Sequence, residues 1–256
     1  MTAILHGLPL ACAKKCRQGG GGFIKSAFIG LCYHQPINYD PGGFMDALNQ
    51  ISTTLALTMG LAWASGINLY ATLLTLGFLA NSGNIVLPPD LQIVANPAVM
   101  VAAGLMYCIE FFADKTPGVD TGWDAIHTFI RIPAGAMLAA GAVGELNPAV
   151  ELAAAIVGGG MAAGSHMTKA GSRVLINTSP EPFSNWAISI GEDVAVITGV
   201  WAAVQHPFFF LIALALFIFL MIWLLPKIWA GVKKVFRAIA RFFGIGVQQP
   251  GANPPQ

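Results

Sequence analysis

EFFADKTPGVDTGWDAIHTFIR, Glu110 to Arg131, decides how the rest of this chain is read. It interrupts an apolar sequence with Glu110, Asp114, Lys115, Asp120, Asp124, His127 and Arg131 inside 22 residues. On a helix, Asp120, Asp124, His127 and Arg131 stand at i, i+4, i+7 and i+11 and share one face. A charged face between hydrophobic neighbours is costly unless it is paired or meets a polar cavity. A second stretch supplies the pair. His166, Lys169, Arg173 and Asn177 repeat the helical spacing, run into NTSPEPFSNW with Glu181 and Asn185, and lead to Glu192 and Asp193. The two faces are expected to meet.

Composition sets the environment. Of 256 residues, 55% are hydrophobic and only 10% charged, and the mean hydropathy is +0.67. A soluble domain needs roughly 25% charged residues to dress its surface, so the chain reads as an integral protein of the lipid bilayer. A net charge of +1 offers no case for nucleic acid. Cys12, Cys16, Cys32 and Cys108 form no CxxC pair, which supports neither a disulfide framework nor a zinc site. No cofactor motif is present, and none is assigned.

In chain order, residues 1–44 lack a sustained period and carry a basic cluster after, not before, their apolar residues, the wrong order for a signal peptide. They read as a disordered extension, with Met45 a more natural beginning. Residues 47–80 are long for one crossing and are interrupted at Ser65-Gly66-Ile67-Asn68, a kink or an unwound point that offers backbone groups to a ligand. A Pro-rich loop follows at 81–97. Further spans are expected at 97–113, 122–144, 149–176, 183–204 and 207–226. Residues 227–243 read as an amphipathic helix on an anionic lipid surface, and the tail from 244 as disordered. The expected fold is all-α: about six transmembrane helices in a domain over 45–226, followed by the interfacial helix. Glycine-rich helix faces leave a homo-oligomer open.

Charge then sets topology. With 47–80 as one crossing, every Lys and Arg falls on one side or in the half-helices beside it, and the loops at 81–96, 144–148 and 204–207 have none. The positive-inside rule makes that side cytoplasmic, giving a multi-pass inner-membrane protein with both termini cytoplasmic. The parity changes if 47–80 crosses twice.

The chain also echoes itself. Asn96-Pro97-Ala98-Val99 and Asn147-Pro148-Ala149-Val150 each open a span; Thr116-Pro117 and Ser179-Pro180 follow, each with a Trp six residues beyond its Pro, at Trp123 and Trp186. This reads as a two-helix repeat whose scaffold recurs and whose charges do not. The Pro loops are open to a re-entrant reading.

Asp120, Asp124 and His127 are of the types that bind a divalent cation, but their spacing is common, and a network with Lys169 and Arg173 is preferred; no metal is assigned. Lys169, Arg173 and Arg131 suit either an anion or ion pairing to Glu110, Asp114, Glu192 and Asp193. Glu192 and Asp193 fall well inside the membrane, where acid marks a proton or ion path. Asn68, beside the glycine break, completes the candidate set.

ASGIN-Y at 64–70, DKTPGVDTGWDAIHTFIR-PAGA at 114–136 and H-TKAGSRVLINTSPEPFSNWAISIGED at 166–193 resemble a bacterial membrane family known as domain of unknown function 4126, over about residues 47–206. The resemblance implies a membrane protein built on these polar residues and supplies no activity. Three functions stay in view: a small transporter or channel with its charged site between helices two to five, a membrane enzyme acting on a lipid phosphate, and a non-catalytic assembly protein.

Overall fold

The computed structural model describes residues 41–116, 118–144, 147–178 and 182–242. The expectations for 1–40, Glu181, the side chain of Asn185 and the tail from 243 lie outside the described residues. The chain divides into two compact units, Met1–Asp46 and Ala47–Gln256, and both charged stretches belong to the second.

Among the described residues the fold is all-α: α1 (Pro41–Ile67), α2 (Leu69–Asn81), a short 3-10 helix (Pro89–Ala95), α3 (Pro97–Ala113), α4 (Val119–Val143), α5 (Pro148–Ile176), α6 (Pro182–Gln205) and α7 (Pro207–Phe242). The two Asn-Pro words act as helix starts. Asn96 accepts from Ala98 N at 2.9 Å and Asn147 from Ala149 N at 2.8 Å, each with proline in the first turn, where its missing N–H costs nothing. Gly144 ends α4 at φ 71°, a conformation that a Cβ would strain.

Polarity is inverted relative to a soluble domain. Phe129 on α4 and Phe209, Ile212, Leu216 and Phe219 on α7 face outward, while Arg131 and Arg173 are the largest side chains at 0% exposure. Helices α4, α5 and α7 and residues Trp186–Gln205 are long and apolar enough to cross a membrane; the 3-10 helix and α3, bent by 63°, pass that test as a pair. The chain is a multi-pass α-helical membrane protein. Among the described residues four helices, or five with the bent pair, pass that test of length and composition.

The departure from the expected path lies in residues 47–81. α1 runs parallel to α5: Ala62 sits by Gly158, Ser165 Oγ donates to Trp63 O, and Lys169 Nζ donates to Ile67 O. At Asn68 the backbone opens to φ −146°, ψ 100°, and α2 begins. α2 then runs antiparallel to α3, with Leu74 against Gly104, Gly77 against Met100 and Asn81 reaching Ala95 O. The 3-10 helix that follows packs on the far end of α4, Leu91 against Gly141. Gln50, Val143 and Val150 line one groove at that same end. Hence α1 descends from the Asn-Pro end, breaks inside the bundle and returns as α2 to the end it came from. In place of the single kinked span expected for 47–80, the structure has a helical hairpin whose two limbs run in opposite directions. Hydropathy and length do not separate the two, because a two-limbed hairpin and a kinked span use the same number of apolar residues.

Helices are close because glycines allow it. A Cβ on Gly66 would lie 2.0 Å from Ser165 Oγ and 2.4 Å from Ala162 O, and one on Gly135 would lie 2.4 Å from Ala162 Cβ. α7 runs beside α5 in the same direction, with Met221 by Gly164 and Ile228 by Gly171. It continues through Pro226 to Phe242 without a break. Of the apolar residues expected on a separate interfacial helix, Ile228 and Val232 are buried, and Phe236 and Ile239 are exposed.

Candidate functional site

The charged stretches meet inside the bundle, toward the end opposite the Asn-Pro starts. Helical spacing does the local work: α4 brings Asp120, Asp124, His127 and Arg131 inward on one face, and α5 answers with His166, Lys169 and Arg173.

At the mouth of α4, Asp120 accepts from Gly118 N at 2.9 Å, Thr121 N at 2.6 Å and the Asn177 amide at 2.8 and 2.9 Å. It sits in the first turn, where the exposed N–H groups favour a negative charge. Two turns deeper, Arg131 spans two acids, with Nη1 on Asp124 at 2.9 Å and Nη2 on Glu110 of α3 at 2.5 Å. Lys169 is the hub. Its Nζ lies 2.8 Å from Asp114, 3.5 Å from Glu110, 3.6 Å from Glu192 and 3.8 Å from Asp124. Arg173 donates to Glu192 at 2.6 Å, to the backbone oxygen of Asp114 at 2.5 Å and to its carboxylate at 3.3 Å, with Asp120 at 3.7 Å.

The hairpin tip joins this network. Asn68 caps α2 by accepting from Ala71 N at 2.9 Å, and its amide donates to Asp193 at 2.9 Å. Ile67 O, left without its helical partner by the break, receives Lys169 at 3.0 Å. Lys115 lies over the Phe111 ring, 2.9 Å from its centroid, and reaches Ser189 at 3.5 Å. His166 rests between Thr128 Oγ1 at 2.7 Å and Arg131 at 3.3 Å. His127 Nδ1 donates to Trp123 O at 2.9 Å, and Nε2 lies 3.2 Å from the Tyr70 hydroxyl.

Of the candidate residues, Asn68, Asp114, Lys115, Asp120, Asp124, His127, Arg131, His166, Lys169, Arg173, Asn177, Glu192 and Asp193 are brought together. Asp120, Asp124 and His127 turn to three different partners (Asn177, Arg131 and Tyr70) rather than to one common point. Tyr70, Thr128 and Ser189 were not foreseen; Tyr70 stands two residues past Asn68, on the first turn of the returning limb, where only the hairpin brings it to His127.

Chemically, the arrangement holds opposite charges in a water-poor interior and ties them to a break in the backbone. Buried pairs of this kind repay their desolvation only when further hydrogen bonds satisfy both partners. A protein-family model described as Domain of unknown function (DUF4126) matches residues 55–227, a range that contains the whole network. No curated protein and no solved structure matches the chain.

Proposed function

We propose that this chain, which belongs to the family of domain of unknown function 4126, is a small membrane transporter whose ion or substrate site is the charged network between α3, α4, α5 and α6. The observation that carries the reading is the hairpin tip: a helix broken within the bundle puts Ile67 O on Lys169 and Asn68 on Asp193. Non-helical backbone at membrane depth is tolerated where protein or a cavity satisfies it, and broken helices that end at a charged site are how secondary transporters hold ions. Arg131, Arg173 and Glu110 at 0% exposure describe an occluded state. The Asn-Pro units α3–α4 and α5–α6 run in the same direction, which supports a parallel two-helix repeat as the frame.

By the positive-inside rule we infer that the charged end is cytoplasmic, in keeping with an inner-membrane protein. On this reading the end of α7 is cytoplasmic and Gln50 lies on the other side, unlike the sequence expectation of both ends in the cytoplasm. The basic second half of α7 suits anionic lipid, and α7's apolar face suits either bilayer or a second copy.

The test is flux. Purified protein in proteoliposomes should carry ions across the bilayer, and Lys169→Gln, if it still folds, should abolish that flux. Closure of the network also favours an assembly role, in which wild-type protein shows no flux. The lipid-phosphate reading fits less well, since Arg131 and Lys169 are already held by carboxylates.

A further inference from the structure

The charges of the network do not balance. Among the described residues it holds six carboxylates (Glu110, Asp114, Asp120, Asp124, Glu192 and Asp193) against four cations (Lys115, Arg131, Lys169 and Arg173). Most of the acids have a compensating group. Glu192 takes Arg173 at 2.6 Å and Asp114 takes Lys169 at 2.8 Å. Asp193 has the Asn68 amide and faces Lys115. Asp120 has the start of α4 and its ring of donors. That leaves Glu110 and Asp124 with the one guanidinium of Arg131 between them. Lys169 approaches the same two oxygens only at 3.5 and 3.8 Å, while committed to Asp114 and Ile67 O.

A second observation bears on the same pair. Among the described residues, Glu110 Oε2 and Asp124 Oδ2 have no hydrogen-bond partner, on side chains that are 0% and 1% exposed; Asp193 Oδ2 also lacks one, but its other oxygen holds the Asn68 amide and its acid is not shared with a second carboxylate on one cation. An ionised carboxylate left with a bare buried oxygen is among the costliest arrangements in a protein interior. Two carboxylates on one guanidinium do not both ionise easily; one proton held by the pair removes the excess charge.

We propose that Glu110 and Asp124 share one proton in this conformation and that this proton is the ion the transporter exchanges. The second half rests on the transport reading; the first does not. The groups that face the pair are Tyr70 from α2, Tyr107 and Asp114 from α3, His127 and Arg131 from α4, His166 and Lys169 from α5, and Glu192 from α6. Arg131 and Lys169 hold the second carboxylate ionised, and loss of the proton leaves one negative charge uncompensated, a state that needs water or a substrate cation to enter. Proton release is thereby tied to opening of the site.

The test is infrared spectroscopy of the lipid-reconstituted protein near neutral pH. The wild type should show the C=O stretch of a protonated carboxylic acid. Glu110→Gln and Asp124→Asn, which each leave one carboxylate for Arg131, should both lose it while keeping the wild-type melting temperature within a few degrees. A wild-type spectrum without that band, or a band that survives in both variants, overturns the proposal. Should neither variant fold, the wild-type band decides: it must disappear as pH is raised, and its absence at neutral pH is fatal. Proton flux is read separately with a pH dye inside proteoliposomes. A band without flux keeps the shared proton and removes the transport reading; flux without a band does the reverse.

Discussion

Lys169 Nζ donates to the carbonyl oxygen of Ile67 at 3.0 Å, across 102 residues of sequence, and so fastens the broken tip of the hairpin to the centre of the charge network. Any change at either partner is felt by both the backbone break and the ion pairs.

Arg131 should be the least replaceable side chain. It is fully buried and joins Glu110 on α3 to Asp124 on its own helix. Removing one member of a buried ion pair costs about 3–5 kcal/mol. Arg131→Gln should therefore lower the thermal midpoint in detergent sharply, and Arg131→Lys, which cannot fork, should fall between it and wild type. Wild-type melting of Arg131→Gln would remove the paired network.

The Gly158-Gly159-Gly160 run offers an internal control. A Cβ on Gly158 would lie 2.2 Å from Ala139 Cβ, whereas one on Gly160 meets nothing within 4 Å. Gly158→Ala should destabilise by about 1–3 kcal/mol through overpacking. Gly160→Ala should be neutral or stabilising by up to about 1 kcal/mol through helix propensity. Equal melting temperatures for the two variants would contradict the α4–α5 packing.

At Asn68 the prediction separates two roles. The side chain caps α2 and donates to Asp193. Asn68→Ser keeps a capping oxygen and should retain most of the stability; Asn68→Leu loses the cap, worth about 0.5–2 kcal/mol, and strands Asp193 as well. Denaturation in mild detergent, followed by far-UV circular dichroism, ranks the two.

Sidedness is decided by thiols. In a cysteine-free background, single cysteines at Gln50 and Ser82 should react with the same impermeant reagent from the same side, and one at Val119 from the other. Labelling of Gln50 together with Val119 would restore a single crossing for 47–80.

The charged site was legible in the sequence, because in a lipid-facing chain the few charges stand out and only one another can compensate them. The spacings of Asp120 to Arg131 and of His166 to Asn177 locate both faces. The two Asn-Pro starts were legible as well, since Asn96 and Asn147 carry a local capping chemistry that packing does not alter. The path of 47–81 was not. Ser65-Gly66 and Asn68 announced a break, yet which way the chain leaves it is set by Gly66 on Ser165 and Gly77 on Met100, contacts made with helices far along the chain. At Pro226 a change of composition, from apolar to basic, occurs within one continuous α7.

The hairpin has a consequence for biosynthesis. Its tip is held by Ser165 on Trp63 O and Lys169 on Ile67 O, both 102 residues downstream. When residues 47–81 leave the ribosome, the groove that receives them has not yet been made. Although it is translated before α5, this element can be fastened only once α5 has been made. A chain truncated before α5 should leave it at the membrane surface, within reach of proteases and quality control.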